Sequence, residues 1–461
     1  MELNSNLIAI REPCTKHKNA KIVAFYNPYT GSFIKHFKNR DIRNFTEETL
    51  RTLYNDYVLI DEGEELTIDS ITYNPKSAEI YIELTEACNF SCPGCAVGAD
   101  RYEQGKSKTL TFELLSELLT KTFKAAEEKG ISKITLKWSG GEPMMALPFS
   151  LIVYAQELVA ELKVTYNIKA INQVILTNGS FLTKNNLDKL EKHEFHVSVS
   201  LWGLGASNAL ARNPKTPNGS YENIVTGIRY LYENDYSFNI NHVVTPANAH
   251  QLTDFIETLW DIKSQRFMAR NWSGCPRPIP LGINYLRPQT QKQSELLVKI
   301  GYKKMLEGTK QAFPVIKNII NEGIQIQPLN HFDYLTIYDV SPVTCGSGFN
   351  YIAIGPRGFA NCHEGLYNMK NNLNTTDNIF DVVNAEYKNN RNFLYGAYKK
   401  FPNLDSPTST FLSLHGGSGC PRNILIEASG YNQAGAIAVE VYAHIYEDLL
   451  ELEHYRMSKF K

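Results

Sequence analysis

Thr85-Glu86-Ala87-Cys88-Asn89-Phe90-Ser91-Cys92-Pro93-Gly94-Cys95 gathers three of the chain's eight cysteines within eight residues. The spacing is Cys-x3-Cys-x2-Cys. Three thiolates on one short loop can converge on a single soft metal centre. A structural zinc site wants four closed ligands, and neither a histidine nor a fourth cysteine stands nearby in the sequence. A [4Fe–4S] cluster held by three cysteines leaves one iron with an open position, where a substrate or cofactor can ligate. The open-iron cluster is the favoured reading; a zinc knuckle or plainly buried thiols is the alternative.

The segments around this loop alternate β-branched runs with amphipathic stretches. Strand candidates are 80–84, 134–138, 173–177, 196–201, 239–244 and 266–269, rich in Val and Ile and too short for helices. Helix candidates fall between them at about 111–128, 148–164, 184–192, 221–232 and 252–260, with later ones at about 290–307 and, rich in Glu and Tyr, near 438–457. The first carries Leu114, Leu115, Leu118 and Leu119 on one face and a Gly130 stop. Strands separated by helices imply right-handed βαβ units and a parallel sheet. Periodicity alone leaves two architectures open, a doubly wound sheet and an incomplete barrel.

Bulk composition bounds what such a chain can do. With 461 residues, 43% hydrophobic and 21% charged, it has the make-up and length of a folded globular protein rather than a disordered one. A formal charge of −1, from 47 basic and 48 acidic residues, gives no bulk electrostatic case for nucleic acid. Met1-Glu2-Leu3-Asn4-Ser5-Asn6 lacks the basic-then-apolar run of a signal peptide, and no apolar stretch approaches the ~20 residues of a membrane span. The expectation is a cytoplasmic chain with no membrane partner. In that reducing compartment clustered cysteines point to metal binding or catalysis rather than disulfides.

At the cysteine loop the chain resembles the radical S-adenosylmethionine (radical SAM) superfamily, whose three-cysteine loop follows the first strand of a partial (β/α)6 barrel. The resemblance covers about residues 78–275. It implies that Cys88, Cys92 and Cys95 hold a [4Fe–4S] cluster whose open iron chelates the amino and carboxylate groups of S-adenosylmethionine. Phe90 stands where that family often has an apolar or aromatic residue.

Further motifs support it. Gly140-Gly141-Glu142-Pro143 follows the second strand candidate and looks like the family's Gly-Gly-Glu-Pro motif. Two glycines let backbone approach a ligand closely, and the carboxylate and carbonyls can accept from an ammonium group; an ordinary Gly-Gly turn is the bland alternative. Asn178 closes the third strand, where the family often reads similarly. Ser200 keeps the position implied to bond the ribose, while Trp202 stands where many relatives carry an acid. Trp202 is therefore expected to pack rather than to play a polar role. Arg212 matches an arginine that would pair with the S-adenosylmethionine carboxylate; a solvated helix charge is the alternative. Asn248 is a weaker match after the fifth strand.

Cys345 and Cys362 flank a run with a Gly358 turn that resembles the start of the C-terminal extension called SPASM, or twitch in its shorter form. The resemblance implies one auxiliary [4Fe–4S] cluster on Cys345, Cys362 and Cys420, because the denser later cysteines of a full SPASM extension are absent. Its fourth position could be open, or filled by Cys275, His363 or a substrate atom. The competing reading is zinc on those three cysteines with His363. Cys275 is a candidate auxiliary ligand or catalytic hydrogen-atom donor, and most simply a buried thiol; Cys14 is incidental.

Residues 1–75 read as a small α+β module: a hairpin from 21–25 and 32–37 across Asn27-Pro28-Tyr29-Thr30-Gly31, then a helix capped by Thr46. Its layout resembles the N-terminal region of radical peptide maturases, where a leader peptide adds as a strand. Three domains result: residues 1–75, a partial barrel over 76–280, and a SPASM- or twitch-like iron–sulfur extension over 281–461. The implied activity is modification of a ribosomally synthesised peptide, by cross-linking, backbone cleavage or epimerisation. The implied partners are that precursor peptide, a separate peptide-recognition protein, and an electron donor such as flavodoxin or ferredoxin. Two other readings stand beside it, a radical SAM enzyme acting on a small molecule and a non-catalytic iron–sulfur or zinc protein.

Overall fold

The computed structural model describes residues 76–92, 95, 107–212, 221–261, 281–286, 302–321, 350–360, 363 and 377–383, with the backbones of short strands at 2–3, 8–11, 22–26, 33–35 and 59–60. Cys14, Cys275, Cys345, Cys362 and Cys420 lie outside the described residues, as do the strand candidate at 266–269 and the helices expected after Thr46 and near 438–457. The chain divides into two compact units.

One unit contains the N-terminal strands β1 (Glu2–Leu3), β2 (Ile8–Arg11), β3 (Ile22–Tyr26), β4 (Phe33–Lys35) and β5 (Leu59–Ile60). The expected hairpin is the antiparallel pair β3–β4, and β2 extends it to a three-stranded sheet. β1 pairs antiparallel with β5.

The other unit is built on β6 (Ser77–Thr85), α1 (Phe112–Glu128), β7 (Lys133–Gly140), α2 (Ala146–Thr165), β8 (Ala170–Thr177), α3 (Lys184–Leu187), β9 (Phe195–Ser200), α4 (Ala206–Arg212), α5 (Tyr221–Glu233), β10 (Ser237–Val244), α6 (Leu252–Asp261), β11 (Leu281–Tyr285), α7 (Tyr302–Asn321), β12 (Tyr351–Gly355) and β13 (Gly358–Ala360). The sheet runs β11-β10-β9-β8-β7-β6-β12-β13. β6 to β11 are mutually parallel in unbroken chain order. A doubly wound sheet reverses its strand order at a switch point. None occurs among the described strands β6 to β11, and the architecture is the partial (β/α)6 barrel.

Strand alternation divides the two faces. Ile80, Ile82, Leu84, Leu136, Trp138, Ile175, Val197, Val199 and Ile240 are buried on one face, the row expected under a helix layer. α1 buries Leu115, Leu118, Leu119 and Phe123. Its start is fixed by Thr111, whose hydroxyl accepts from the Leu114 amide at 3.2 Å, a cap worth about 1 kcal/mol. Its end is fixed by Gly130 at φ +66°.

Two elements differ from the sequence reading. The sixth parallel strand is Leu281–Tyr285, paired to β10, so the barrel extends past the expected boundary at 280. The late helix described is 302–321; it continues past the expected end at 307 through Gly308 and Pro314, and residues 290–301 of the expected span lie outside the described residues. Gly308 does not end it: a Cβ there would lie 2.1 Å from the Ala249 carbonyl oxygen, so the glycine serves a close crossing over the 3-10 turn Ala249–Gln251.

β12 and β13 form an antiparallel hairpin within the run between Cys345 and Cys362. β12 also pairs parallel with β6 along the sheet edge, from Tyr351 opposite Glu79 to Ile354 opposite Ile82.

Candidate active site

The C-terminal ends of the parallel strands carry the site, and its centre is the cysteine loop that follows β6. Cys92 is buried with Phe90 and Trp202, and the half-buried Cys88 and Cys95 pack against that cluster. The loop turns tightly: the Cys95 amide donates to the Cys92 carbonyl at 3.1 Å, and the Phe90 amide points at Cys88 Sγ at 3.3 Å. Burial, then the Glu142 charge and the two neighbouring thiols, push Cys88 up to about 12 against the Phe90 amide. A bound cation reverses that preference, because a coordinated thiol is held as thiolate.

The Gly140-Gly141-Glu142 segment is the seat of this loop. The Gly141 amide donates to Thr85 O at 2.6 Å and the Glu142 amide to Ala87 O at 3.0 Å. A Cβ at Gly140 would lie 2.4 Å from Thr85 O, and one at Gly141 2.0 Å from Ala87 O. The backbone that approaches these glycines is the cysteine loop's own. Glu142 is fully buried, and its carboxylate accepts from the Met144 amide (2.8 Å), the Thr177 hydroxyl (2.7 Å) and the Asn178 amide (2.7 Å). Burial raises its pKa against those three bonds and the nearby Arg212 charge. With three protein donors, this carboxylate ties the end of β7 to the end of β8, and backbone carbonyls are left to meet a ligand ammonium.

Asn178 reaches into the loop from β8. Its side-chain amide donates to Asn89 Oδ1 at 2.8 Å and lies 3.8 Å from Cys88 Sγ, while its oxygen accepts from Ser180. Asn248 braces the opposite side, donating to the Trp202 and Val243 carbonyls and accepting from the Thr245 amide.

Arg212 is buried, with its guanidinium carbon 5.0 Å from both the Phe90 and the Trp202 ring centroids, and it donates to the Ser200 carbonyl. The alternative of a solvated helix charge is thereby set aside. Arg212 Nε, Trp202 Nε1 and Asn208 Nδ2 are buried with no hydrogen-bond partner among the described residues. All three are donors on one short segment beside the cysteine loop. An unpaired buried donor costs about 1–3 kcal/mol, so such a group wants an acceptor, and a ligand carboxylate supplies one. The sequence reading of Trp202 as packing alone misses its buried N–H.

Among the described residues no three His, Cys, Asp or Glu side chains converge on a single metal ion. A cluster asks less, since each thiolate binds a different iron, so the three-cysteine loop fits a cluster better than a zinc ion. The three cysteines and the three unpartnered donors both fit a [4Fe–4S] cluster with S-adenosylmethionine.

Pro143 sits buried in the same turn as Glu142. Sequence reasoning misses the concave side of the sheet. Tyr81 is buried there, donating to the Ser139 hydroxyl at 2.7 Å and stacking on His363 at 4.7 Å. His363 also shares a 2.8 Å hydrogen bond with Tyr351. His196, Asn239, Asn241 and Ser198 form a hydrogen-bonded polar ladder across β9 and β10. The signal was present in β6, where Glu79, Tyr81 and Glu83 alternate with Ile80, Ile82 and Leu84.

Residues 82–259 match the sequence profile of the Radical SAM superfamily, so this stretch is a radical SAM domain. Among curated relatives, an S-adenosylmethionine-dependent nucleotide dehydratase of Flammeovirga pacifica is 28% identical over 194 residues, 41% of this chain and 60% of that protein. A serine-type anaerobic sulfatase-maturating enzyme of Klebsiella aerogenes is 25% identical over 158 residues, 34% of this chain and 37% of that protein. The matched region thus spans less than two thirds of either relative. The solved structure of native anSMEcpe with bound AdoMet and Cp18Cys peptide shares the fold, with TM-score 0.51 and 17% identity over 71% of this chain and 87% of that one.

Proposed function

We propose that this chain is a radical SAM enzyme that modifies a ribosomally synthesised peptide. The observation that carries the enzymatic part is the pairing of the three-cysteine loop with a segment bearing three buried, unpartnered donors. Cys88, Cys92 and Cys95 would hold the cluster, and Arg212, with Trp202 and Asn208 around it, would meet the carboxylate of S-adenosylmethionine. Backbone carbonyls after β7 would accept from its ammonium group, and Ser200 and Asn178 flank the nucleoside side. Phe90 and Trp202 close the loop to water. When bound, the reduced cluster would give one electron to the sulfonium of S-adenosylmethionine, releasing methionine, and so supply the hydrogen-abstracting 5′-deoxyadenosyl chemistry.

The peptide substrate is supported by the likeness to the sulfatase-maturating enzyme and by the peptide-bound solved structure sharing the fold. The N-terminal sheet offers strand edges to an extended backbone, and Cys345, Cys362 and Cys420 are our auxiliary-cluster ligands, with Cys275 a further candidate at the site. The nucleotide dehydratase relative favours the second reading, a small-molecule substrate. The test is incubation of reconstituted, reduced protein with S-adenosylmethionine and short peptides encoded beside its gene. A mass change in one peptide, with 5′-deoxyadenosine formed in step, is the expected result; turnover with a small molecule and none of the peptides contradicts it.

A further inference from the structure

Two buried carboxylates stand where β6 gives way to the cysteine loop. Glu83 is 2% exposed and Glu86 is 1% exposed, three residues apart at the edge of the parallel sheet. Side by side in a low-dielectric setting they repel each other unless a cation stands against them. The cation comes from 271 residues further along the chain. Arg357 grips Glu86 with two nitrogens, Nε on Oε1 and Nη2 on Oε2 at 3.0 Å. Glu86 Oε2 also accepts from the Lys108 amide at 2.8 Å, which ties the far end of the loop region into the same pair.

The hairpin sequence is shaped to deliver that guanidinium. Arg357 lies between β12 and β13 in Gly355-Pro356-Arg357-Gly358. Gly358 has φ +128°, which turns the chain tightly, in a conformation L side chains rarely adopt. A Cβ at Gly355 would lie 3.0 Å from Glu83 Cβ and 3.1 Å from Glu83 Oε2, so a larger residue would press on the Glu83 side chain where the hairpin crosses the end of β6. The parallel pairing of β12 with β6 fixes the register that sets Arg357 opposite the loop. Strand pairing, a close-approach glycine, a turn glycine and a bidentate ion pair all act at one point. The cysteine loop begins two residues beyond Glu86.

We infer that Arg357 is a positioning residue for the cysteine loop: the late β12–β13 hairpin latches the loop that presents Cys88, Cys92 and Cys95. The hairpin is thus a working part of the catalytic half of the molecule, whatever else its flanking cysteines bind. Glu86 is buried whereas the Arg357 side chain is 34% exposed, so removing Arg357 leaves the buried Glu86 charge uncompensated, and the loop relaxes to rehydrate it. A loop displaced in that way would shift Cys88, Cys92 and Cys95, the residues that would hold the cluster, and so weaken binding of S-adenosylmethionine. Lysine restores the charge without the planar fork, so it should restore the latch only in part.

This inference rests on the radical SAM reading, and the experiment separates the two. Full-length, reconstituted protein is reduced and titrated with S-adenosylmethionine, following the change in the cluster's EPR spectrum, for the wild type, Arg357→Gln, Arg357→Lys and Lys129→Gln. Lys129 pairs with Asp381, another late residue bound to the barrel, at the far end of α1 from the cysteine loop. Arg357→Gln should bind S-adenosylmethionine about tenfold more weakly or worse with an altered spectrum, Arg357→Lys should fall between it and the wild type, and Lys129→Gln should match the wild type. Equal binding and spectra in Arg357→Gln and wild type overturn the latch. So does an equal loss in Lys129→Gln, which would reduce the effect to general stability. If the wild type itself gives no response to S-adenosylmethionine, the radical SAM reading fails instead.

Discussion

A methyl group at Gly141 would sit 2.0 Å from the Ala87 carbonyl oxygen and 3.0 Å from the Cys88 amide nitrogen. Both neighbours are backbone, so neither can swing aside as a side chain could. Gly141→Ala must therefore push the cysteine loop away from the end of β7, while the hydrogen bonds of β6 and β7 below it persist. The expected outcome is a folded protein with unchanged far-UV circular dichroism that has lost the loop's cluster, about four iron atoms per chain, by iron analysis after anaerobic reconstitution. The Glu142 carboxylate works at the same scale. Its three donors come from two different strand ends, and it holds those ends in register beneath the ligand.

At the scale of elements, β10 and α6 meet through a histidine rather than an aliphatic pair. His242 is fully buried, stacks on Phe255 with centroids 4.3 Å apart, and donates from Nδ1 to the Leu201 carbonyl at 3.1 Å. Burial pulls its pKa from 6.5 down to about 4 despite that bond. The folded protein holds the ring neutral, whereas the unfolded chain protonates it below about 6.5. Its contribution is intact above pH 6.5 and is lost as pH falls toward 4. His242→Phe removes this titration and keeps the stacking. Relative to wild type it should gain about 1.4 kcal/mol between pH 7.5 and pH 5.5 in anaerobic denaturant unfolding; a difference that stays flat with pH contradicts the assignment.

The barrel strands were the readable elements, because each buried face alternates Ile, Leu and Val at period two. β6 to β10 fall where the sequence puts them, within a few residues. β11 was not readable: Leu281-Gly282-Ile283-Asn284-Tyr285 is short, holds a glycine in its interior and follows a stretch rich in Pro and Gly. α7 runs past the expected end at 307, through Gly308 and Pro314, because the crossing over Ala249 demands the glycine. In the site, Cys88, Cys92, Cys95, Gly140, Gly141 and Arg212 were legible from motif and spacing. The partners of Glu142 and Glu86 were not, since Thr177, Asn178 and Arg357 come from elements distant in sequence and only the sheet register brings them in.

Across the whole molecule, one design recurs: late chain segments return to the first strand and first helix of the barrel. β12 pairs with β6, Arg357 with Glu86, and Asn378 and Asp381 with the end of α1. The concave side of the sheet is lined by groups that hydrogen-bond one another, among them Lys137 with Glu79, Tyr81 with Ser139, and Asn241 with Ser198. No described helix is long and apolar enough to cross a membrane.

The central claim is that Cys88, Cys92 and Cys95 support reductive cleavage of S-adenosylmethionine. Its most direct measurement is 5′-deoxyadenosine formed by anaerobically reconstituted protein given dithionite and S-adenosylmethionine, for the wild type and for the triple variant Cys88→Ala, Cys92→Ala, Cys95→Ala. The wild type should form 5′-deoxyadenosine and methionine in equal amounts, and the triple variant should form neither even if other iron remains bound. Formation of 5′-deoxyadenosine by the triple variant, or none by an iron-loaded wild type, would contradict it.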